Sequence, residues 1–79
     1  MNTSTLTKGE ILAHGISFSR DKMCVALSDG RELNVPMEWF PRLLSATKTQ
    51  RGHWRLIGGG IGIHWDEIDE DISVEGLLK

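Results

Sequence analysis

Val35-Pro36-Met37-Glu38-Trp39-Phe40-Pro41-Arg42-Leu43-Leu44-Ser45 gathers two aromatic and several large aliphatic side chains around two prolines. It marks the place where an extended segment gives way to helix and where a core can nucleate. Pro36 cannot donate to a strand ladder and ends the extended segment. Pro41 is tolerated only in the first turn of a helix. A helix is therefore predicted from near Glu38 to near Ala46, with Trp39/Leu43 and Phe40/Leu44 as i,i+4 pairs on one wide apolar stripe.

Upstream, Leu12, His14, Ile16 and Phe18 alternate with Ala13, Gly15 and Ser17, the period of a half-buried strand. Ser19 to Lys22 is a polar turn, and Met23, Val25 and Leu27 share one face of a second strand. Ser28-Asp29-Gly30 closes a hairpin, since Gly accepts positive φ at no steric cost. A two-residue loop would oppose Val25 to Asn34. A three-residue loop with Gly30 left-handed opposes Val25 to Leu33 and Met23 to Val35. Because a one-residue slip flips every side chain to the other face, the apolar register selects the three-residue turn and a third strand over Glu32 to Val35.

Downstream, Thr47-Lys48-Thr49-Gln50 has the spacing of a capping box and predicts a short helical turn through His53. Trp54 to Ile57 reads as a fourth strand and Gly58-Gly59-Gly60 as a flexible hairpin loop. Ile61, Ile63 and Trp65 alternate with Gly62 and His64 in a fifth. Ser73 is placed to cap a last short helix over Val74 to Leu78. The class expected is α+β: one small, mainly antiparallel sheet of about five strands, a single main helix across it and a short C-terminal helix.

A chain of 79 residues makes one small domain that buries only about 60% of its unfolded surface. Residues 1–9 read as a frayed lead-in and residues 10–79 as the domain. With 39% apolar residues, one compact core is available, and self-association or a partner would extend it. Cys24 is the sole cysteine, which fits a reducing compartment rather than a disulfide scaffold. No stretch approaches the ~18 apolar residues of a membrane span, and the first residues carry no apolar signal core. A cytoplasmic protein is expected. A net charge of -2 argues against a dedicated nucleic-acid binder.

The chemistry-bearing residues form no catalytic or metal pattern. His14, His53 and His64 share no ligand spacing with one another or with Cys24, and they read as ordinary strand and loop histidines. His64 alternates off the apolar face and is expected to be the most exposed of the three. Cys24 has no base or electropositive setting to activate it and reads as a small half-buried hydrophobe. Gly58 to Gly60 lacks the following helix and Lys-Ser/Thr pair of a phosphate loop. Asp66, Glu67, Asp69, Glu70 and Asp71 set five carboxylates within six positions. They lack the interleaved ligands and central Gly of a calcium loop and read as a solvated lead into a helix N-terminus, or as a docking surface for a basic partner. Arg42, Arg51 and Arg55, near Lys48 and Trp54, are the candidate nucleic-acid contacts. No cofactor or metal is expected.

Four pieces in order carry a resemblance. They are the hairpin ending Asp29-Gly30-Arg31, the Pro36-x-x-Trp39-Phe40-Pro41-Arg42-Leu43 run, Trp54-x-Leu56-x-Gly58 followed by Ile63-His64-Trp65, and the tail Asp69 to Leu78. From about Leu12 onward the chain resembles the bacterial "domain of unknown function 2442" family. The resemblance implies a small α+β domain with no established catalytic residues, encoded beside a second small domain in pairs that look like toxin–antitoxin modules. Some members add a helix-turn-helix; this chain ends soon after the family tail, and no such appendage is expected. The function expected is a non-enzymatic protein-binding module, an antitoxin-like neutraliser or accessory subunit. It would act through Trp39, Phe40, His64 and Trp65, with Asp66, Glu67, Asp69 and Glu70 steering a small basic partner. The alternative is a nucleic-acid-binding regulator acting through Arg42, Arg51 and Arg55. An enzyme built on His64 and the carboxylates is the remotest of the three.

Overall fold

The computed structural model describes residues 11–78; the expected lead-in over residues 1–9 lies outside them. Strands β1 (Ala13–Phe18), β2 (Lys22–Leu27) and β3 (Glu32–Pro36) form one antiparallel sheet in the order β1-β2-β3. A 3-10 turn over Met37–Trp39 leads into α1 (Pro41–Ser45) and α2 (Lys48–Gly52). Strands β4 (Trp54–Ile57), β5 (Gly62–Trp65) and β6 (Glu70–Ser73) form a second antiparallel sheet in the order β4-β5-β6, and α3 (Val74–Leu77) closes the described chain. The α+β class and the short C-terminal helix are as expected. The single five-stranded sheet under one main helix is not: among the described residues there are two three-stranded sheets and three short α-helices.

The β2–β3 hairpin has the predicted register, Val25 opposite Leu33 and Met23 opposite Val35. Gly30 sits at φ 93°, and the Asp29 carboxylate accepts from the Arg31 backbone N–H at 3.1 Å and from its Nε at 2.7 Å. Strand β1 departs from simple alternation. A bulge between Ala13 and Gly15 shifts the register, so one extra residue faces the partner strand. Ala13 is thereby buried and His14 exposed, while Ile16 and Phe18 still pack on the core.

The expected helix over 38–46 breaks at Phe40, which adopts φ -129°, ψ 86°. The cause is Pro41, whose ring disfavours the α region for the residue before it. Pro41 then occupies the first position of α1. At α2 the predicted capping box forms in full: the Thr47 hydroxyl accepts from the Gln50 N–H and the Gln50 side chain from the Thr47 N–H, both at 3.0 Å. The Ser73 hydroxyl accepts from the Gly76 N–H and caps α3.

Sequence reading missed strand β6. The acidic stretch does not run solvated into a helix. Asp66 to Asp69 turn the chain, with Asp69 at φ 54°, a conformation that Asp tolerates better than most residues. Glu70 to Ser73 then pair with β5. Both sheets and the helical segment feed one core: Met23, Val25, Leu27 and Val35 from the first sheet, Met37 and Leu43 from the connection, Ile63, Trp65 and Ile72 from the second sheet, and Val74. Full burial of such a side chain is worth about 1.5–3 kcal/mol.

Within the triple glycine, Gly60 stitches the two sheets together. Gly60 is buried; its carbonyl accepts from the Ala13 N–H at 2.8 Å, and the Ile61 carbonyl accepts from the Val74 N–H at 3.0 Å. A Cβ on Gly60 would stand 2.5 Å from the Ala13 carbonyl oxygen, so only glycine allows this approach.

Candidate functional site

Trp65 and Trp39 have opposite fates. Trp65 belongs to the inward face of β5 and is 0% exposed; its indole N–H donates to the Arg51 carbonyl at 3.0 Å. It is core, and its expected place in a binding patch is withdrawn. Trp39 sits on the 3-10 turn at 62% exposure, and Leu44 on α1 at 48%. Phe40 between them is half-buried and packs on the core. The exposed apolar surface here is therefore Trp39 and Leu44. Leu44 was missed because the i,i+4 reading assumed an unbroken helix.

The arginines are engaged within the chain. The Arg51 guanidinium donates through Nε to the Leu43 carbonyl at 2.9 Å and through Nη2 to the Leu44 carbonyl at 3.0 Å; the first adds to the bond Leu43 accepts from the Ala46 N–H, and the second serves a carbonyl near the end of α1. Arg42 donates to the Asp69 carbonyl and so ties α1 to the β5–β6 turn. Arg55 binds Asp66 through two near-parallel bonds of 3.2 and 3.3 Å, the bidentate arrangement that strengthens such pairs.

The acidic segment is correspondingly matched by bases. Asp66 faces Arg55 and also His64 Nε2 at 3.0 Å; Glu67 faces His53 Nδ1 at 3.1 Å; the Asp69 carboxylate lies 3.9 Å from Arg42. Glu70 is half-buried opposite Trp65. These pairs reduce the field that an isolated run of carboxylates would project, so the steering expected of Asp66, Glu67, Asp69 and Glu70 has less charge behind it than their count suggests. The Arg55 hydrogen bonds hold the Asp66 carboxyl below the usual carboxylate range.

His64 is the least exposed of the three histidines, against expectation. Its side chain is 22% exposed, that of His53 is 59%, and His14 is exposed on its bulge. Strand pairing sets Arg55, His64 and Asp71 in a row across the outer face of the second sheet, with the Asp71 carboxylate 3.5 Å from His64 Nδ1. Sequence reading counts Asp71 only as one of the five carboxylates, and its pairing with His64 was missed with its strand; a four-residue turn over 66–69 gives this register. Both imidazole nitrogens thus face carboxylates of the same chain. Cys24 is half-buried on β2, its Sγ 3.6 Å from Glu32 Oε1. Among the described residues no group of three His, Cys, Asp or Glu side chains is placed to hold a metal ion, and no helix is long and apolar enough to cross a membrane.

Grooves mark the surface formed by the described residues. A shallow one of about 410 Å³ lies between α1, α2 and the β5–β6 turn, lined by Pro41, Arg42, Ser45, Ala46, Gln50 and Ile68. A second, of about 460 Å³, lies over the outer side of β5 and β6 beside the entry to β1.

The family model described as protein of unknown function (DUF2442) matches residues 13–79. Among solved structures, the chain is similar to a protein of unknown function from Rhodospirillum rubrum, known from a crystal structure at 2.75 Å. The two share 28% identity with a TM-score of 0.76, over 89% of this chain and 87% of the other. No curated protein matches the chain.

Proposed function

Since the chain belongs to the DUF2442 family of proteins of unknown function, we propose that it is a non-enzymatic protein-binding module, an antitoxin-like neutraliser or accessory subunit of a small partner. The observation that carries this reading is the pair Trp39 and Leu44, 62% and 48% exposed on the 3-10 turn and on α1, which follows it. Burying large apolar side chains against a partner is favourable, and tryptophan is among the residues enriched at interface hot spots. The segment is braced for such a role. Arg51 caps the end of α1 and Arg42 fastens α1 to the β5–β6 turn, so docking costs little ordering of the backbone.

An enzymatic reading has little to build on. His64 is held between Asp66 and Asp71, and His53 meets Glu67 alone among the described carboxylates; acid–base work requires a group that reaches a substrate pocket. The nucleic-acid alternative loses its groups to internal bonds, because Arg42, Arg51 and Arg55 each donate to this chain's own oxygens. Affinity capture with and without nuclease tests the choice. A stoichiometric protein that survives nuclease supports the module; recovery that vanishes with nuclease, or salt-dependent retention on DNA or RNA, supports the regulator.

A further inference from the structure

The outer face of the second sheet is divided. The core side of an antiparallel sheet is apolar and its solvent side ordinarily polar. Arg55, His64 and Asp71 follow that rule; Ile57, on the same face of β4, does not. Ile61, in the turn just before β5, is 55% exposed. Ile57, Ile61 and Leu12 belong neither to the buried core nor to the side chains packed against it. Together they line the half-open groove of about 460 Å³, with Asp71 and Glu75 also on its lining. Gly62, from β5, leaves the floor bare; a Cβ there would come within 3.1 Å of Ile57 Cδ1. The walls are fixed: Ile61 is held through its carbonyl by the Val74 N–H, and the preceding Gly60 by the Ala13 N–H. The volume falls within the range of ligand pockets, and an apolar lining with few polar groups suits an aliphatic side chain.

We propose that this groove binds a short extended segment of a partner protein, one aliphatic side chain seated on Ile57, Ile61 and Leu12 and an adjacent lysine or arginine facing Asp71 and Glu75. The lining adds two carboxylates to an aliphatic floor, Glu75 and Asp71, the latter also 3.5 Å from His64 Nδ1, and a basic residue beside the anchor complements them. A second copy of this chain is a poorer fit, since a two-fold contact brings the same patch to both sides and sets two acidic rims at one interface. The proposal rests on the protein-binding reading but uses a surface other than Trp39 and Leu44, so the two stand or fall separately.

The test is a titration of the 15N-labelled full chain with an acetylated, amidated Gly-Lys-Ile-Lys-Gly peptide, followed by amide chemical shifts. Two control peptides carry Glu for both Lys, or Ser for Ile. The expected result is saturable shifts confined to the groove, at Ile61, Gly62 and residues 72–75. Binding is expected to be at least about threefold weaker for the Glu peptide and about tenfold weaker for the Ser peptide. Ile61→Asp, at an exposed position, is expected to abolish the shifts, Glu75→Lys to weaken them, and Trp39→Ser to leave them unchanged. Absence of shifts at low-millimolar peptide, or an equal response to the Glu peptide, overturns the proposal. So do concentration-dependent shifts of the same amides without peptide, which mark a second copy as the occupant. Cross-peaks from the groove to residues 1–10 mark the chain's own start as the occupant and overturn it as well. Peptide binding that survives Trp39→Ser while partner capture is lost separates this groove from the Trp39 surface.

Discussion

The indole N–H of Trp65 donates to the backbone carbonyl of Arg51 at 3.0 Å, while the guanidinium of the same Arg51 holds the carbonyls of Leu43 and Leu44. One residue thus links β5, α2 and α1. Helices of five residues are far too short to be stable alone in water, so the connection between the sheets depends on such tertiary ties. The segment that presents Trp39 and Leu44 is positioned by a buried tryptophan two elements away.

Breaking that link is expected to destabilise the whole domain. Trp65→Phe removes the N–H donor and part of the ring volume, at an expected cost of about 2–3 kcal/mol. Arg51→Lys keeps the charge but not the fork that serves two carbonyls, at an expected cost of about 1–2 kcal/mol. Urea unfolding of each variant measures both. Changes within about 0.5 kcal/mol, the range of ordinary surface substitutions, contradict the link.

The three tryptophans separate by accessibility. Trp39 is 62% exposed, Trp54 half-buried and Trp65 fully buried. Acrylamide quenching of the native protein is therefore expected to be dominated by Trp39, and Trp39→Phe is expected to remove most of the quenchable emission. Stability is expected to change by no more than about 0.5 kcal/mol. Loss of quenching in a Trp54→Phe protein instead contradicts the placement of Trp39.

The glycines of the β4–β5 loop are not equivalent. Gly60→Ala places a Cβ against the Ala13 carbonyl at φ 118° and is expected to cost about 2–4 kcal/mol. Gly59 has φ 72° with open space around it, so Gly59→Asn is expected to cost less than about 1 kcal/mol. Thermal unfolding of the two variants compares them, and equal losses contradict the stitching role of Gly60.

Two aspartate pairs are expected to yield to acid only at the low end of the pH range. The backbone N–H of Arg31 and then its guanidinium hold the Asp29 carboxyl below the ordinary range, and the Arg55 hydrogen bonds do so for Asp66. A carboxyl depressed in the folded state contributes stability that is present above its unfolded value and lost as pH falls through the folded one. The contribution of both pairs is therefore expected to be intact at neutral pH and to disappear only below the ordinary aspartate range. Carboxyl 13C titration reads each directly. Arg55→Gln is expected to move Asp66 upward and leave Asp29 in place; an unmoved Asp66 contradicts the pairing.

Local chemistry was legible where it alone decides the outcome. The Asp29-Gly30 turn with its apolar register, the Thr47–Gln50 capping box and the Ser73 cap all stand as read. The break at Phe40 was also present in the sequence, in the restriction that Pro41 places on its neighbour, but the i,i+4 apolar pairs outweighed it. Strand β6 was hidden because it lies at a sheet edge. Of Glu70 to Ser73 only Ile72 is buried, and charged edge residues look like solvated loop. The bulge at His14 inverts a strand face without any residue pattern to announce it. At the candidate site, alternation placed Trp65 on the apolar face. The pairing of each arginine with an oxygen distant in sequence depends on tertiary placement and was not legible.

The most direct test of the protein-binding account is quantitative capture from the source organism by three tagged proteins after nuclease treatment: the unaltered chain, Trp39→Ser with Leu44→Ser, and Trp54→Phe as a substitution away from the proposed surface. One stoichiometric protein is expected with the unaltered chain and with Trp54→Phe, and its loss with the double substitution while that variant's unfolding curve stays unchanged. The same protein recovered equally by all three contradicts the assignment of Trp39 and Leu44 as the binding surface.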